Sequence, residues 1–166
     1  MIEIRQSYEE IFEVFRGKDA RLINNESLDL LLRHDVDHNL DLALRLAEAH
    51  ANRGIRASFF LRADTEYARH SDFSCKLKYL ESMGHEVGYH VNAMAVAVCD
   101  KRPLQDIVHS DLEILRSACE VEGVSAHGDS FCYQHGVSNL WIWQENESPY
   151  MARTFPNAFL NAEGTV

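Results

Sequence analysis

Short apolar runs alternate with helical patterns along this chain, and no other feature of the sequence limits the fold as strongly. Four runs have the length of strands that are buried on both faces: 28–33, 57–61, 85–90 and 124–126. Helical spacing of apolar residues fills the intervals: from Leu40 to Ala51, after Asp72, and from Pro103 toward Gly123. This alternation predicts βαβ units with right-handed crossovers and a parallel sheet, hence an α/β fold. We expect a single domain over residues 1–166.

Carboxylates and imidazoles come near the ends of all four predicted strands. The residues concerned are Asp35, Asp37, Asp64, His90, His127 and Asp129. In α/β barrels and open parallel sheets, ligands bind at the carboxyl ends of the strands. The sequence therefore predicts a functional site on that rim. After residue 130 the pattern weakens, with a short helix expected over 139–143 and a loop containing one strand over 150–166.

Composition limits the partners more than it names one. The formal net charge is −10, which repels nucleic acid and anionic membrane surfaces. No apolar run approaches the ~20 residues needed to cross a bilayer, and the amino terminus lacks a signal-peptide pattern, so we expect a cytoplasmic protein. The four cysteines form no C-x-x-C pair and are expected to be buried free thiols. Nothing in the sequence indicates an oligomeric state.

The most informative segment is Arg33-His34-Asp35-Val36-Asp37-His38. Asp35 and Asp37 are two residues apart, so in an extended chain both point the same way. Two close carboxylates are unfavourable unless a cation neutralises them or one of them is protonated. A metal ion beside one carboxylate meets that need and leaves the other free as a base. In the alternative interpretation, Asp37 or Asn39 simply caps the helix that begins at Leu40.

Histidines at two further strand ends could bind the same ion. His90 is a natural neutral imidazole ligand for zinc or a similar ion, whereas His85 lies on the opposite side of the strand and is expected to be structural. His127 precedes Gly128, where the chain can turn sharply. It could be a third ligand, a general acid or an ordinary histidine in a turn. His50 and His109 lie within predicted helices and are expected on solvated faces.

One carboxylate and two imidazoles, from Asp37, His90 and His127, would form an open site. Three protein ligands with water in the free position are typical of a catalytic metal ion rather than a closed structural one. We expect zinc, with iron, cobalt or nickel as alternatives.

Two segments resemble motifs of the polysaccharide deacetylases, the NodB-homology group of carbohydrate esterases. Residues 30–37 resemble a first motif in which an apolar strand ends in two aspartates, the first a general base and the second a metal ligand. Residues 84–90, Gly-His-Glu-Val-Gly-Tyr-His, are similar to the second motif almost letter for letter. The resemblance implies a (β/α) barrel-like fold and a metal-dependent hydrolase that removes N-acetyl groups from a carbohydrate. It makes Asp35 the base, Asp37 and His90 ligands, and a histidine, for which His127 is the candidate, the later proton donor.

This sequence departs from the family pattern in several places. Met94 stands where the second motif has another histidine, and a thioether is a poor ligand for a hard divalent ion, so His127 is our candidate for the third ligand. No third or late histidine motif is recognisable. A complete barrel usually has about 250 residues, which favours a truncated chain or a distorted, incomplete barrel. Two other functions stay open: a degenerate sugar- or metal-binding member, and a hydrolase of another small amide.

Overall fold

A computed structural model describes residues 2–22, 31–140 and 142, with side chains from Tyr8 onward. The helices are α1 Ile2–Phe15, α2 Leu40–Ala51, α3 Phe73–Ser82, α4 Ala93–Asp100, α5 Leu104–Arg116 and α6 Ser130–Gln134. The strands are β1 Arg33–Val36, β2 Ser58–Leu61, β3 Glu86–Val91 and β4 Val121–Ala126, and a short 3-10 helix spans Tyr67–Arg69. None of the helices described is long and apolar enough to cross a membrane.

The four strands form one parallel sheet in the order β1-β2-β3-β4. Each strand therefore pairs with its neighbour in the sequence, and helices occupy the connections. This confirms the predicted α/β class and the parallel sheet. Because all four strands run the same way, their carboxyl ends lie along one rim, where the predicted site residues meet.

One face of the sheet packs against α2, α3 and α5 and forms the main apolar core. Strand residues that contribute to it include Phe59, Leu61, Val87, Tyr89 and Val91. Each is at most 2% exposed, as expected of alternate positions on strands covered by helices. Glu122 forms a bulge in β4, since Val87 pairs with Val121 and the next residue, Gly88, pairs with Gly123. The bulge explains why Val121 and Val124 both join the core despite odd spacing.

The opposite face of the sheet carries polar residues and is strongly curled. Arg33 on β1 hydrogen-bonds to Ser125 on β4, although the outer strands of a flat four-stranded sheet would lie about 14 Å apart. The guanidinium of Arg33 also lies 5.3 Å from the centre of the Phe60 ring on β2. This curvature brings the two outer strands toward each other and lets their carboxyl ends share one site.

The first strand lies later in the chain than the apolar run suggested. We expected it at 28–33, but β1 spans Arg33–Val36, and 28–30 lie outside the described residues. The sequence of β1 is polar because one face of the strand packs against helices and the other faces the polar, concave side of the sheet. His34 and Val36 face the helices, where His34 packs on Phe59, while Arg33 and Asp35 face the concave side. Asp35 is therefore inside the strand rather than after it.

One further boundary differs from the prediction, and two helices were not predicted. The long helix predicted from Pro103 ends at Arg116, because β4 already begins at Val121. The uniformly apolar α4 was not predicted, since it carries no amphipathic pattern, and neither was the short α6. Asn139 and Leu140 lie in a turn. The rest of the helix predicted over 139–143 lies largely outside the described residues, as does all of 150–166.

Two burial predictions were wrong. His50 is 1% exposed rather than solvated, because the face of α2 that carries it packs on His34 and Phe12. Cys75 and Cys99 are exposed, and only Cys119 and Cys132 are buried. The exposed pair lies on the outer sides of α3 and α4. His109 is exposed as expected and pairs with Glu113.

Candidate metal centre

Three elements of the rim bring Asp37, His90 and His127 together. Asp37 follows β1 directly, His90 is the penultimate residue of β3, and His127 follows β4. The amide of His127 donates to the carbonyl of Val91 at 2.9 Å, which ties the end of β4 to that of β3. The cap of α2 is Asn39, whose side chain accepts from the amide of Leu42. Asp37 is therefore not needed as a cap.

The ligand atoms of these three residues form a small, nearly equilateral triangle. Oδ1 of Asp37 lies 3.0 Å from Nδ1 of His127 and 3.4 Å from Nε2 of His90. The two ring nitrogens are 3.1 Å apart. Ligand atoms bound at about 2.0–2.1 Å to one tetrahedral zinc ion are separated by about 3.3 Å. The triangle therefore has the dimensions of three ligands around one ion.

The chemistry of these atoms also fits a cation. Oδ1 of Asp37 is buried and has no hydrogen-bond partner among the described residues, although a buried polar atom normally has one. Burial lowers the pKa of His90 and of His127, which favours the neutral imidazole that metal ligation requires. His90 directs Nδ1 toward the backbone carbonyl of Ser125 at 3.2 Å. Nε2 of His90 is thereby left with its lone pair toward the triangle.

A guanidinium faces the opposite side of the His127 ring. Nη1 of Arg62 lies 3.0 Å from Nε2 of His127, and an arginine can only donate. Nε2 of His127 is then the acceptor, and its ring proton is on Nδ1, directed at Nε2 of His90. Coordination through Nδ1 of His127 would require the other tautomer, with a proton on Nε2, and Arg62 would have to move aside.

Asp35 stands beside the triangle and is paired with Arg33. Nε of Arg33 lies 2.6 Å from Oδ1 of Asp35, and Nη2 lies 2.5 Å from Oδ2. Oδ2 of Asp35 is 3.9 Å from Nε2 of His90, farther than either candidate ligand. The guanidinium offsets the repulsion between the two aspartates and fixes the orientation of Asp35. Asp35 thus lies next to the site without joining its three ligand atoms.

Two buried asparagines hold the loops around the site. Asn139, 2% exposed, donates to the backbone carbonyl of His127 and to Oδ1 of Asn92, both at 2.9 Å. Its own oxygen accepts from the amide of Met94. Asn92 in turn donates to Asp64 at 3.1 Å and to Asp129 at 2.9 Å. The loop after β4 is therefore fastened to the turn between β3 and α4.

In the segment 84–90, most of the residues with a distinct role stabilise the fold, and one belongs to the candidate site. Gly84 has a φ of +85° after α3, and His85 accepts from the amide of Ala57 and contacts the carbonyl of Ala47. A side chain at Gly88 would meet the ring of Phe60 at 2.4 Å. His85 is therefore structural, as expected, and His90 alone of this segment reaches the triangle.

The predicted rim residues thus divide into two groups. Asp37, His90 and His127 form the triangle with Asp35 beside it, whereas Asp64 and Asp129 belong to the surrounding hydrogen-bond network. Burial raises the pKa of Asp64, but its hydrogen bonds and ion pair with Arg62 outweigh this and lower it overall. Sequence reasoning did not single out Arg62 or Asn139. The sequence Arg62-Ala63-Asp64 after β2 has the same Arg-x-Asp spacing as Arg33-His34-Asp35. That repeated pattern is the sequence signal that points to Arg62.

Comparison of the chain with protein-family models, with curated proteins and with solved structures finds no match. The assignment of a function therefore depends on the residues of the site.

Proposed function

We propose that this protein is a metal-dependent amide hydrolase that removes N-acetyl groups from a carbohydrate. The observation that carries the proposal is the triangle of Asp37, His90 and His127, with edges of 3.0 to 3.4 Å, beside the carboxylate of Asp35. An open site with three ligands and an adjacent base is typical of hydrolytic rather than structural metal centres. The resemblance of residues 30–37 and 84–90 to deacetylase motifs supports the choice of an N-acetyl sugar.

Asp37, His90 and His127 would hold the ion, most simply zinc because the ligand set is one oxygen and two nitrogens. When bound, such an ion polarises an amide carbonyl and lowers the pKa of water. Asp35 is the general base that takes a proton from the attacking water. Arg33 holds the Asp35 carboxylate in place for this step. Because His127 serves as a ligand in this arrangement, Asp35 rather than His127 returns the proton to the departing amine.

The ligand set supports an intact site in spite of Met94. The triangle takes its third atom from His127 at the end of β4, and only the backbone amide of Met94 takes part in the network, by donating to Asn139. A member that had lost a ligand at position 94 would not need this histidine 3.1 Å from His90. This arrangement favours catalysis over the degenerate alternative.

The test combines metal content with activity. Purified protein should carry about one equivalent of zinc or a similar ion and should release acetate from N-acetylated sugars. Asp35→Asn should retain the metal and lose most of the turnover, because a general base contributes roughly 10²- to 10⁴-fold. Protein that binds no divalent metal would exclude the proposal. Hydrolysis of small cyclic amides, but not of N-acetyl sugars, would support a metal-dependent amide hydrolase with a different substrate.

A further inference from the structure

A cavity of about 370 Å³ opens beside the metal centre, between α4 and α5. This volume lies within the usual range for sites that bind small molecules, about 300–1,000 Å³. Its inner part is lined by Ala95, Ile107 and Asp111, which are 6%, 2% and 8% exposed. Its rim carries the exposed residues Arg69, Asp100 and Arg102. The cavity is therefore open to solvent at one end and closed by the core at the other.

The cavity and the metal centre share a wall. Asp64 and Asp129 line the cavity, and Asp64 pairs with Arg62, whose Nη2 lies 2.6 Å from Oδ2 of the aspartate. The same guanidinium reaches the ring of His127 at 3.0 Å. One arginine side chain therefore separates the cavity lining from a candidate metal ligand. Arg62, Asp64 and Asp129 form this wall, so a ring joined to a unit at the triangle would enter the cavity over the rim of the sheet.

The lining offers hydrogen-bonding groups of both kinds. The side chains of Arg69, Asp100, Arg102 and Ser110 make no hydrogen bond or ion pair with any residue that the structure describes. Asp111 accepts a hydrogen bond from the hydroxyl of Tyr89 at 2.5 Å, and burial raises the pKa of Asp111 to about 6. Val96, Ile107 and Phe131 add apolar surface.

We infer that this cavity binds an uncharged, polyhydroxylated sugar ring that is linked to the unit held at the metal centre. The inference rests on the proposed function and adds a second subsite to it. Ionised aspartates only accept and arginines only donate, so a ligand must satisfy both kinds of group. Sugar hydroxyls do both, and the C–H faces of the ring match the apolar side chains.

Charge argues against ionic ligands. Asp64 is neutralised by Arg62, which leaves Asp100, Asp111 and Asp129 opposite the two guanidiniums of Arg69 and Arg102. An anion would meet three carboxyl groups, and a cation would meet two guanidiniums. A neutral ligand with many hydroxyl groups avoids both repulsions and still forms charge-assisted hydrogen bonds.

The experiment measures binding of N,N′-diacetylchitobiose by titration calorimetry on zinc-loaded protein in an Asp35→Asn background, which prevents consumption of the sugar. Arg102→Ala removes a donor from the rim, and Ser110→Trp fills the cavity. Arg45→Ala is the matched control, because Arg45 is exposed on α2 and lies outside the cavity. Zinc affinity by chelator competition, and hydrolysis of 4-nitrophenyl acetate with Asp35 intact, report the metal centre separately.

We expect Arg102→Ala and Ser110→Trp to weaken sugar binding by about tenfold or more, and Arg45→Ala to leave it unchanged. Zinc affinity and hydrolysis of the small ester should stay at the wild-type level in all three. Sugar binding that is insensitive to both cavity variants would overturn the inference, even if the enzyme deacetylates the sugar. Arg102-dependent sugar binding without any deacetylation would uphold the subsite and reject the proposed function.

Discussion

Nη1 of Arg62 lies 3.0 Å from Nε2 of His127, so a group that can only donate hydrogen bonds faces the ring nitrogen opposite the candidate ligand atom. A histidine that binds a metal through one nitrogen normally donates the proton of the other to a carboxylate or carbonyl. Arg62 cannot accept that proton. The guanidinium therefore competes with coordination through Nδ1, and metal binding requires it to turn away.

Replacing Arg62 with an acceptor should strengthen metal binding. In Arg62→Gln, the side-chain carbonyl can accept the Nε2 proton of His127, and we expect zinc affinity to rise by about tenfold. Arg62→Met is the matched control, since it removes the same charge without providing an acceptor. Chelator competition on the three proteins separates the effect of the acceptor from that of the charge. Equal affinities for the Gln and Met variants would show that the tautomer of His127 does not limit binding.

Removing Asp37 or His90 should abolish metal binding, whereas neutralising Asp35, the proposed base, should not. Asp37→Ala and His90→Ala each delete one corner of the triangle, and two remaining ligands hold zinc poorly. Asp35→Asn should keep its metal, because Oδ2 of Asp35 lies 3.9 Å from Nε2 of His90 and Asp35 is already paired with Arg33. Metal content after dialysis checks all three. Loss of metal from Asp35→Asn would make Asp35 a ligand and reverse the two roles.

Introducing a histidine at position 94 should change metal affinity little. In the proposed site His127 supplies the third ligand atom, 3.1 Å from Nε2 of His90, so Met94→His adds a group where none is needed. Chelator competition on wild type, Met94→His and His127→Ala provides the measurement, and we expect only the last to lose affinity. A gain of tenfold or more in Met94→His would indicate that the site lacks a ligand and that His127 is not one.

The contact between half-buried His34 and buried His50 should make the fold sensitive to acid. Their Nε2 atoms are 3.0 Å apart, and burial lowers the pKa of His34 to about 4 and that of His50 to about 3. The unfolded chain binds these protons near pH 6.5, whereas the folded protein does not. Stability is therefore complete above pH 6.5 and is lost as the pH falls toward 4, by an amount on the order of 3 kcal/mol for His34.

Denaturant unfolding between pH 4 and 8 measures this loss. His50→Leu should reduce the slope of the unfolding free energy against pH, because one titrating ring is gone. His109→Leu, which removes an exposed ring on α5, is the matched control. An unchanged slope in His50→Leu would exclude this histidine pair as the source of acid sensitivity.

The location of the site could be predicted from the sequence because it depends on topology. Strand–helix alternation implies that the carboxyl ends of parallel strands share one rim, and Asp37, His90 and His127 follow directly from that rule. Contacts that depend on the curl of the sheet could not be predicted. Arg33 on β1 reaches Ser125 on β4 because these outer strands curve toward each other, and the local sequence does not encode that curvature.

The predictions for His50 and for β1 were wrong because a polar residue type was taken to indicate exposure to solvent. His50 follows Ala43 and Ala47 at helical spacing, so the periodicity of α2 already placed it on the buried face. Its residue type led us to expect solvent. The polar strand β1 was misplaced for the same reason, since His34 faces the buried His50. In both cases a histidine packs on another aromatic ring between α2 and the sheet.

The curl of the sheet has a further consequence for folding. Asp37 and His127 stand 90 residues apart in the sequence and follow the two outermost strands, so an ion that binds both closes a loop through the whole sheet. The unfolded chain keeps these ligands far apart and loses most of its affinity. The free energy of unfolding would then rise with the free metal concentration, by about 1.4 kcal/mol for each tenfold increase above the dissociation constant. Metal supply would thus set how much of the protein stays folded.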